Sequence, residues 1–340
     1  MSGFTIGVAM LGGLVLASLV GYNTWTSRRN APRQPETPPR DPAQPIEPDL
    51  RQGPLLDPEP PLPIPERKPG LDALIDAIAP IHVETPVSGE AAILALPPTR
   101  RAGSKPFAVE GRNEDTGQWE TPQAGQRYGA FQAGVQLANR TGHLNEIEFS
   151  EFVVKTQAFA DAVNGSPDFP DMRGEVTRAR ELDQFAGDHD AQLSFTLRAR
   201  HAAWSPGYVH QSAARQGFLP GVIPGRLVLP AGTPGTPPVL VLSFDTQTAL
   251  ADDPAQSPLR ELTLSLDVPQ VHRSEQPFVR MRDCAIAFAA SMEGTITDDN
   301  GEVIRAEGLD VIGADLEKLY DVLDARDLAA GSPQARRLFS

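Results

Sequence analysis

One pattern that occurs twice, 129 residues apart, restricts the fold more than any other feature of this chain. In each copy a short strand-like run precedes an amphipathic helix, and a glycine follows the helix. Val135 of the first run corresponds to Leu264 of the second, and Gly165 corresponds to Gly294. Because a strand, a helix face and a stop keep the same register, the sequence predicts two copies of one folding unit.

The two long helices carry the clearest part of this pattern, because their apolar stripes have identical spacing. The inward positions are Phe149, Phe152, Thr156, Phe159, Ala160 and Val163 in the first copy, and Phe278, Met281, Ala285, Phe288, Ala289 and Met292 in the second. Asn145, with Glu148 three residues later, predicts a capping box at the start of the first helix. A second match, GEVTRARELD at 174–183 and GEVIRAEGLD at 301–310, recurs after 127 residues. We expect helix in the first of these and an Asn-Gly turn leading to the last helix in the second.

The pattern of strands and turns predicts the fold class. Alternating apolar residues and Gly/Pro turns give the second copy the order β-α-β-β-β-α-β-α. This order is typical of an α+β fold in the split-βαβ style, with a mostly antiparallel sheet and helices on one face. In the first copy, the run EAAILALPP leaves little room for the first helix. The sequence therefore predicts two split-βαβ domains, a degenerate one over 71–190 and a complete one over 191–340.

An uncharged run of nineteen residues, from Phe4 to Tyr22, precedes both predicted domains. As a helix this run would span roughly 28 Å, close to the hydrocarbon thickness of a bilayer. The sequence therefore predicts a transmembrane anchor over 1–24. Its anchoring residues are Phe4, Leu11, Leu14, Leu16, Leu19 and Tyr22. A cleaved signal peptide is the alternative, but it would carry basic residues before the run and a small-residue cleavage site after it.

The residues after the apolar run predict the topology and a tether. Arg28 and Arg29 lie on the carboxyl side of the run, so the positive-inside rule places the body of the protein in the cytoplasm and the N-terminus in the periplasm. We therefore expect a single-pass protein of the bacterial inner membrane. Residues 31 to 70 include fourteen prolines, which predicts a disordered, semi-rigid linker over 25–70. Such a linker reaches up to roughly 120 Å. A ligand for proline-binding domains is the alternative.

Charge and cysteine content exclude several classes of function. The net charge of −14 argues against a nucleic-acid partner, because phosphates require a basic surface. Cys284 is the single cysteine, so the chain forms neither an intramolecular disulfide nor a cysteine zinc cluster. Its place near the buried stripe of the second long helix predicts a core residue.

The sequence offers no evident catalytic set, cofactor site or metal site. The six histidines have no metal-ligand spacing. Asp298, Asn300, Gly301 and Glu307 match part of a calcium loop, but Ile296 stands at its first ligand position, and an Asn-Gly turn explains the run. We find neither a nucleophile elbow nor a phosphate-binding glycine loop. We therefore expect a protein that is not an enzyme, with a hydrolase of unrecognised type as the remaining enzymatic alternative.

The carboxyl half resembles the ZipA family of bacterial cell-division proteins. LTLSLDVP, a polar loop, the long helix ending at Gly294 and TITDD follow one another as in that family, and RQGF after the first helix and DDP at 252–254 match further landmarks. The resemblance covers about residues 191 to 328. The anchor and the proline-rich linker agree with the family in layout.

The resemblance implies a binding groove on an exposed sheet face, which would take the carboxyl-terminal tail of the tubulin-like protein FtsZ. The corresponding groove residues are Phe244, Thr246 and Thr248 on one strand and Thr263, Ser265 and Asp267 on the next. The family uses bulky apolar residues and a lysine at several of these positions, where this chain has threonine, serine and aspartate. The first copy is therefore an alternative binding module, a spacer or a surface that joins the two domains. Its Trp119 is expected in the core.

These observations together predict a cell-division protein that tethers FtsZ, or the septal ring, to the inner membrane through a cytoplasmic domain. Residues 4–22 would anchor the protein in the membrane, and the linker would set how far the domain reaches from it. The alternative is a membrane-anchored adaptor for another division or envelope protein, without FtsZ contact.

Overall fold

The computed structural model describes residues 32–35, 70–251, 253, 257–298 and 300–340. The predicted anchor, with Phe4, Leu11, Leu14, Leu16, Leu19 and Tyr22, lies outside the described residues, as do Arg28, Arg29 and most of the predicted linker. In the part of the chain that the structure describes, no helix combines the length and the apolar character needed to cross a membrane.

The chain divides into two compact units, which we call the first unit and the second unit. The first unit takes its described residues from Pro65–Ala191, Val268–Arg273 and Leu316–Ser340. The second unit takes its described residues from Met1–Ile64, Gln192–Asp267 and Ser274–Asp315. The sequence predicted a boundary between residues 190 and 191, and these units meet between Ala191 and Gln192. The last 25 residues, expected with the second domain, group instead with the first unit.

The first unit contains a six-stranded antiparallel sheet of order β2-β3-β5-β1-β8, with β4 paired to β3. Its strands are β1 (Asp76–Ser88), β2 (Arg101–Ala102), β3 (Lys105–Asn113), β4 (Trp119–Glu120), β5 (Arg127–Gln136) and β8 (Gly165–Pro167), and β6 (Ala138–Asn139) pairs with β7 (Gly142–His143) as a separate hairpin. Its helices are α1 (Gly89–Ala95), α2 (Glu146–Ala162) and α3 (Met172–His189). The run EAAILALPP was expected to leave little room for a helix after β1, and α1 occupies seven residues there.

The second unit contains a six-stranded antiparallel sheet of order β10-β11-β12-β13-β9-β14. Its strands are β9 (Gln192–Ala199), β10 (Leu219–Pro220), β11 (Arg226–Leu229), β12 (Leu240–Ser243), β13 (Glu261–Asp267) and β14 (Gly294–Thr297). The helices are α4 (Pro206–Arg215), α5 (Thr246–Ala249) and α6 (Pro277–Ser291). Helix α7 (Ala306–Asp324) contains the boundary between the units, and α8 (Pro333–Leu338) belongs to the first unit.

The two sheets share one order of strands apart from the extra edge strand β10. Reading across each sheet, β3, β5, β1 and β8 of the first unit correspond to β12, β13, β9 and β14 of the second. In both units a residue with left-handed φ lies two positions after the end of the long helix, Asn164 at 52° and Glu293 at 53°, and the glycine that follows begins a strand. The predicted α+β class with antiparallel sheets is confirmed.

The long helices bury the predicted faces against their sheets. All six inward positions of α2 are buried, and Asn145 and Glu148 form the predicted capping box. Phe131 packs edge-on against Phe159, with ring centroids 5.2 Å apart. In α6 the corresponding residues are buried except Ala289, which is half-buried. Cys284 is buried, as predicted, and burial raises the pKa of its thiol.

The two halves of the GEV repeat differ in structure, as expected. Residues 174–183 lie within α3. Residues 301–310 begin in a turn at Gly301, whose φ is 84°, and α7 starts at Ala306. The Asp298 carboxylate accepts hydrogen bonds from the backbone N–H groups of Asn300 and Glu302, so it stabilises this turn.

Candidate functional site

The six residues that the resemblance assigned to a groove do not form one continuous surface. Thr263, Ser265 and Asp267 lie on β13, half-buried, on the sheet face opposite the buried Leu262, Leu264 and Leu266. The prediction that Thr246 and Thr248 lie on a strand is wrong, because β12 ends at Ser243. The Asp245 side chain accepts from the N–H groups of Gln247 and Thr248 and thereby starts helix α5 at Thr246.

Phe244 is the large apolar residue of the predicted groove, and its side chain is unavailable to a partner. Its exposed fraction is 8%, and its ring lies 6.0 Å from the His210 ring in an edge-on contact. His210 is itself exposed, and partial desolvation lowers the pKa of its imidazole.

The face of the second sheet opposite its leucines carries mostly small side chains, half-buried except for the buried Thr297. One row across the sheet contains Ser243, Thr263, Thr196 and Thr297, and the next contains Val241, Ser265 and Ser194. These side chains offer little apolar area compared with leucine or phenylalanine. This face therefore lacks the bulky apolar surface that a groove for hydrophobic anchors requires.

A cavity of about 600 Å³ lies instead in the first unit, beside β3. Its apolar lining comes from α1 and the loop after it, from β3 and from the segment just before β1: Ile93, Leu96, Pro97, Pro98, Phe107, Ala108, Val109 and Leu71. Ile93 is 40% exposed, so its side chain is within reach of a ligand. Arg100, which is exposed, contributes a positive charge to the lining.

The cavity opens at a gap in the pairing of β3. Strand β2 pairs with β3 as far as Pro106, and β4 pairs with it from Gly111 onward. The N–H of Phe107 donates to Arg100 O at 2.9 Å and that of Asn113 donates to Gln118 O at 3.0 Å, both away from β5. Since alternate residues of an antiparallel strand point the same way, the N–H and C=O of Val109 also point into the gap.

Hydrogen bonds fix one wall of the cavity. Glu110, whose exposed fraction is 6%, accepts from the Leu71 N–H at 3.0 Å and from Gln132 Nε2 at 2.8 Å. Leu71 lies directly over Gly134, where an added Cβ would come within 2.5 Å of its Cδ2. The glycine therefore makes room for Leu71 on the sheet, and the wall is largely preformed.

An ion pair holds the C-terminal helix beside this wall. Arg337 donates to both carboxylate oxygens of Asp76, at 2.9 and 2.5 Å, and to Gly70 O at 3.1 Å. Asp76 is fully buried, and burial raises the pKa of its carboxyl even though Arg337 opposes the shift. The Arg337 backbone oxygen accepts from Gln136 Nε2 at 2.8 Å. This pair positions Arg337 and Ser340 in the cavity lining.

Other buried polar groups of the first unit bond to one another on the helix side of the sheet. Lys105 is 1% exposed, and its ammonium donates to Asn139 Oδ1 at 2.7 Å, to Thr141 Oγ1 and to Gly142 O. Burial lowers the pKa of this ammonium. Burial would raise the pKa of Glu148, but hydrogen bonds from Ser104 and Asn145 hold it below its usual value. The Lys105 contacts join β3 to the β6–β7 hairpin, and the contact of Ser104 with Glu148 joins the start of β3 to α2.

Trp119 is 43% exposed, so the prediction of a core tryptophan is wrong. It begins the two-residue strand β4, and its partner Arg112 lies near the end of β3. The neighbouring Glu120 accepts a hydrogen bond from the Tyr128 hydroxyl at 3.0 Å, whereas the indole at the sheet edge stays partly exposed.

In the described segments, no group of three or more His, Cys, Asp or Glu side chains is placed to hold a metal ion. The Asp190 carboxylate, next to His189, pairs with Arg140 at 2.6 Å, and His189 stacks on Phe185. Asp190 and His189 therefore both make structural contacts.

Sequence signals could have located the cavity in part. Pro97 and Pro98 end α1 and make an apolar loop, which is visible in the sequence. The gap between β2 and β4 depends on long-range pairing of short strands, which periodicity does not reveal.

Comparison with known proteins identifies no family for this chain. Neither a scan of protein-family models nor a search of curated proteins finds a match for this chain.

Proposed function

We propose that the protein is a single-pass inner-membrane protein of cell division that binds the FtsZ tail and tethers it near the membrane without chemical catalysis. The anchor predicted at 4–22, the predicted cytoplasmic location of the body and the resemblance to the ZipA family motivate this proposal, and the shared sheet order of the two units agrees with a duplicated module. The observation that carries the binding role is the apolar cavity at the gap beside Val109.

The peptide would bind to the first unit rather than to the second. An extended segment that enters the gap would form backbone hydrogen bonds with the N–H and C=O of Val109, as in β-strand addition. One or two apolar side chains would contact Ile93, Leu96 and Pro98. Arg100 would attract acidic residues of the tail, which offsets the repulsion expected from a chain with net charge −14.

A titration of the full-length protein in nanodiscs with a fluorescent FtsZ-tail peptide tests the proposal. We expect saturable binding that Ile93→Glu weakens at least tenfold, because a loss of about 1.4 kcal/mol corresponds to that factor. The matched control is Val154→Glu on α2, since Val154 is 67% exposed and does not line the cavity. No binding at millimolar peptide, or an equal loss for both variants, would contradict the proposal.

The alternative function is an adaptor that binds another division or envelope protein at the same cavity. The polar face of the second sheet favours this alternative over a second FtsZ site, because it departs from the apolar groove of the ZipA family. The adaptor predicts no effect of the FtsZ-tail peptide but recovery of a partner from cells depleted of FtsZ. Ile93→Glu should abolish that recovery and Val154→Glu should not.

A further inference from the structure

The described residues 32–35, from the proline-rich region, contact the second unit through one isolated β-bridge at Arg33. Arg33 pairs in parallel with Trp204, which in turn pairs with Leu259. The Arg33 N–H donates to Ala203 O at 2.7 Å, and the Ser205 N–H donates to Arg33 O at 2.9 Å. Pro32 is buried. A segment that composition alone assigns to a linker therefore has backbone bonds and burial.

Side chains of the second unit form a built site for this segment. The Arg33 guanidinium pairs with the Glu293 carboxylate, and this contact lowers the pKa of Glu293. Pro35 lies against Gly207, where an added Cβ would come within 3.1 Å of the proline Cγ. The platform is rigid, because Trp204 is fully buried and its indole N–H donates to Met292 O at 2.9 Å.

We propose that Pro32–Pro35 is a docking strand that fastens the second unit close to the bilayer surface. This distance rests on the proposed anchor at 4–22. Arg33 lies eleven positions after Tyr22, and even a fully extended chain over eleven residue steps spans no more than about 40 Å. The second unit is thus confined to about a third of the roughly 120 Å that an undocked linker would allow. A shorter tether raises the local concentration of the protein at the membrane.

Hydrogen exchange of residues 203–208 in the full-length protein tests the docking itself. We expect Arg33→Glu to speed exchange of this segment at least tenfold, because like charges meet at Glu293 and the bond to Ser205 is lost. Arg40→Glu, with the same charge change elsewhere in the linker, should leave exchange unchanged. The double variant Arg33→Glu with Glu293→Arg should restore protection. Unchanged exchange in Arg33→Glu, or equal effects of Arg40→Glu, would overturn the docking.

A mixture of the two single variants separates docking within one chain from exchange between two copies. Arg33→Glu chains retain Glu293, and Glu293→Arg chains retain Arg33. If the strand docks within its own chain, the mixture exchanges as fast as the separate variants. Restored protection in the mixture would show docking between copies and would overturn the short tether.

Energy transfer from the second unit to labelled lipid headgroups tests the distance. The fluorescent donor is attached to a cysteine introduced by Thr233→Cys, in an exposed turn, and Cys284→Ala removes the native cysteine. Thermal melting of the Thr233→Cys, Cys284→Ala variant confirms that it folds. We expect Arg33→Glu to lower the transfer and Arg40→Glu to leave it unchanged. Intact docking with no transfer at all refutes the anchor but not the docking strand. Equal transfer in Arg33→Glu and the parent refutes the confinement.

Discussion

At the scale of single residues, the ion pair of Asp76 and Arg337 illustrates how burial sets stability. Asp76 is fully buried, and its two oxygens accept from one guanidinium in a bidentate arrangement. Removal of water from such a carboxylate is costly unless its partner remains. Because burial dominates the pKa of Asp76, the protonated form is favoured in the folded state more than in the unfolded chain.

We predict that Arg337→Met destabilises the first unit by about 3 kcal/mol at pH 7, because it leaves a buried carboxylate without its cation. A folded-state pKa above the ordinary 3.8 means that stability is highest below that value and falls as the pH rises through the folded pKa. The loss in Arg337→Met should therefore shrink as the pH is lowered from 7 towards 4. Urea unfolding, monitored through amide exchange in β1 and β5, measures this loss of stability at each pH.

The control for the ion pair is the double variant Asp76→Asn with Arg337→Met. Without an ionisable group at residue 76, its loss of stability should be nearly independent of pH. A loss of equal size at pH 4 and pH 7 in the single Arg337→Met variant would contradict the assignment to Asp76.

At the scale of elements, the same junction joins the long helix to an edge strand in both units. Gly165 lies against Ile81 of β1, where an added Cβ would come within 2.8 Å of its Cγ2. Gly294 lies against Leu197 of β9, where the shortest distance would be 2.7 Å. In each case the glycine lets an edge strand approach its neighbour closely. Close approach, rather than a positive φ, is therefore the reason for glycine at both positions.

We predict that Gly165→Ala and Gly294→Ala each destabilise their own unit by about 1–3 kcal/mol, because the added methyl overpacks the junction. The matched control is Gly187→Ala in α3, where an added Cβ meets no described atom within 4 Å. Alanine should stabilise that helix slightly or have no effect. Urea unfolding gives the three free energies, and a neutral result at either junction would contradict an equivalent role.

Long and short elements differ in how well the sequence predicts them. The stripe of α2 is predicted to the residue, because a helix of five turns repeats its period several times. Helix α5 was not predicted from the sequence, because the helix has only four residues. The cap at Asp245 starts it where the sequence pattern suggested that the strand continues. Trp119 was misplaced because aromatic character indicates burial in general but not which strands extend far enough to cover a ring.

At the scale of the whole molecule, the carboxyl-terminal residues complete a unit that is distant in the sequence. Leu338 and Phe339 are fully buried within the first unit. Gln270 Nε2 donates to Phe339 O at 2.7 Å, and Gln334 Nε2 donates to the Asp72 carboxylate at 2.8 Å. The first unit is therefore built from three separate stretches of chain.

We predict that removal of residues 329–340 destabilises the first unit and leaves the second unit folded. The deletion removes buried apolar side chains and the partner of Asp76, together worth several kcal/mol. Hydrogen exchange should speed up in β1 and β5 and stay slow in β9 and β13. Loss of protection in β9 and β13 with β1 unchanged would instead assign the tail to the second unit.

The sequence by itself determined the α+β class, the duplicated order of strand and helix, the inward faces of the long helices and the capping box at Asn145. These features depend on short-range periodicity and on local hydrogen bonds, which neighbouring residues encode. Only the tertiary structure decided that Phe244 is buried, that the open cavity lies beside Val109, that Arg33 docks on Trp204 and that the tail joins the first unit. Those outcomes depend on pairings between residues far apart in the chain, whose free energies arise from close packing and desolvation after the sheets have formed.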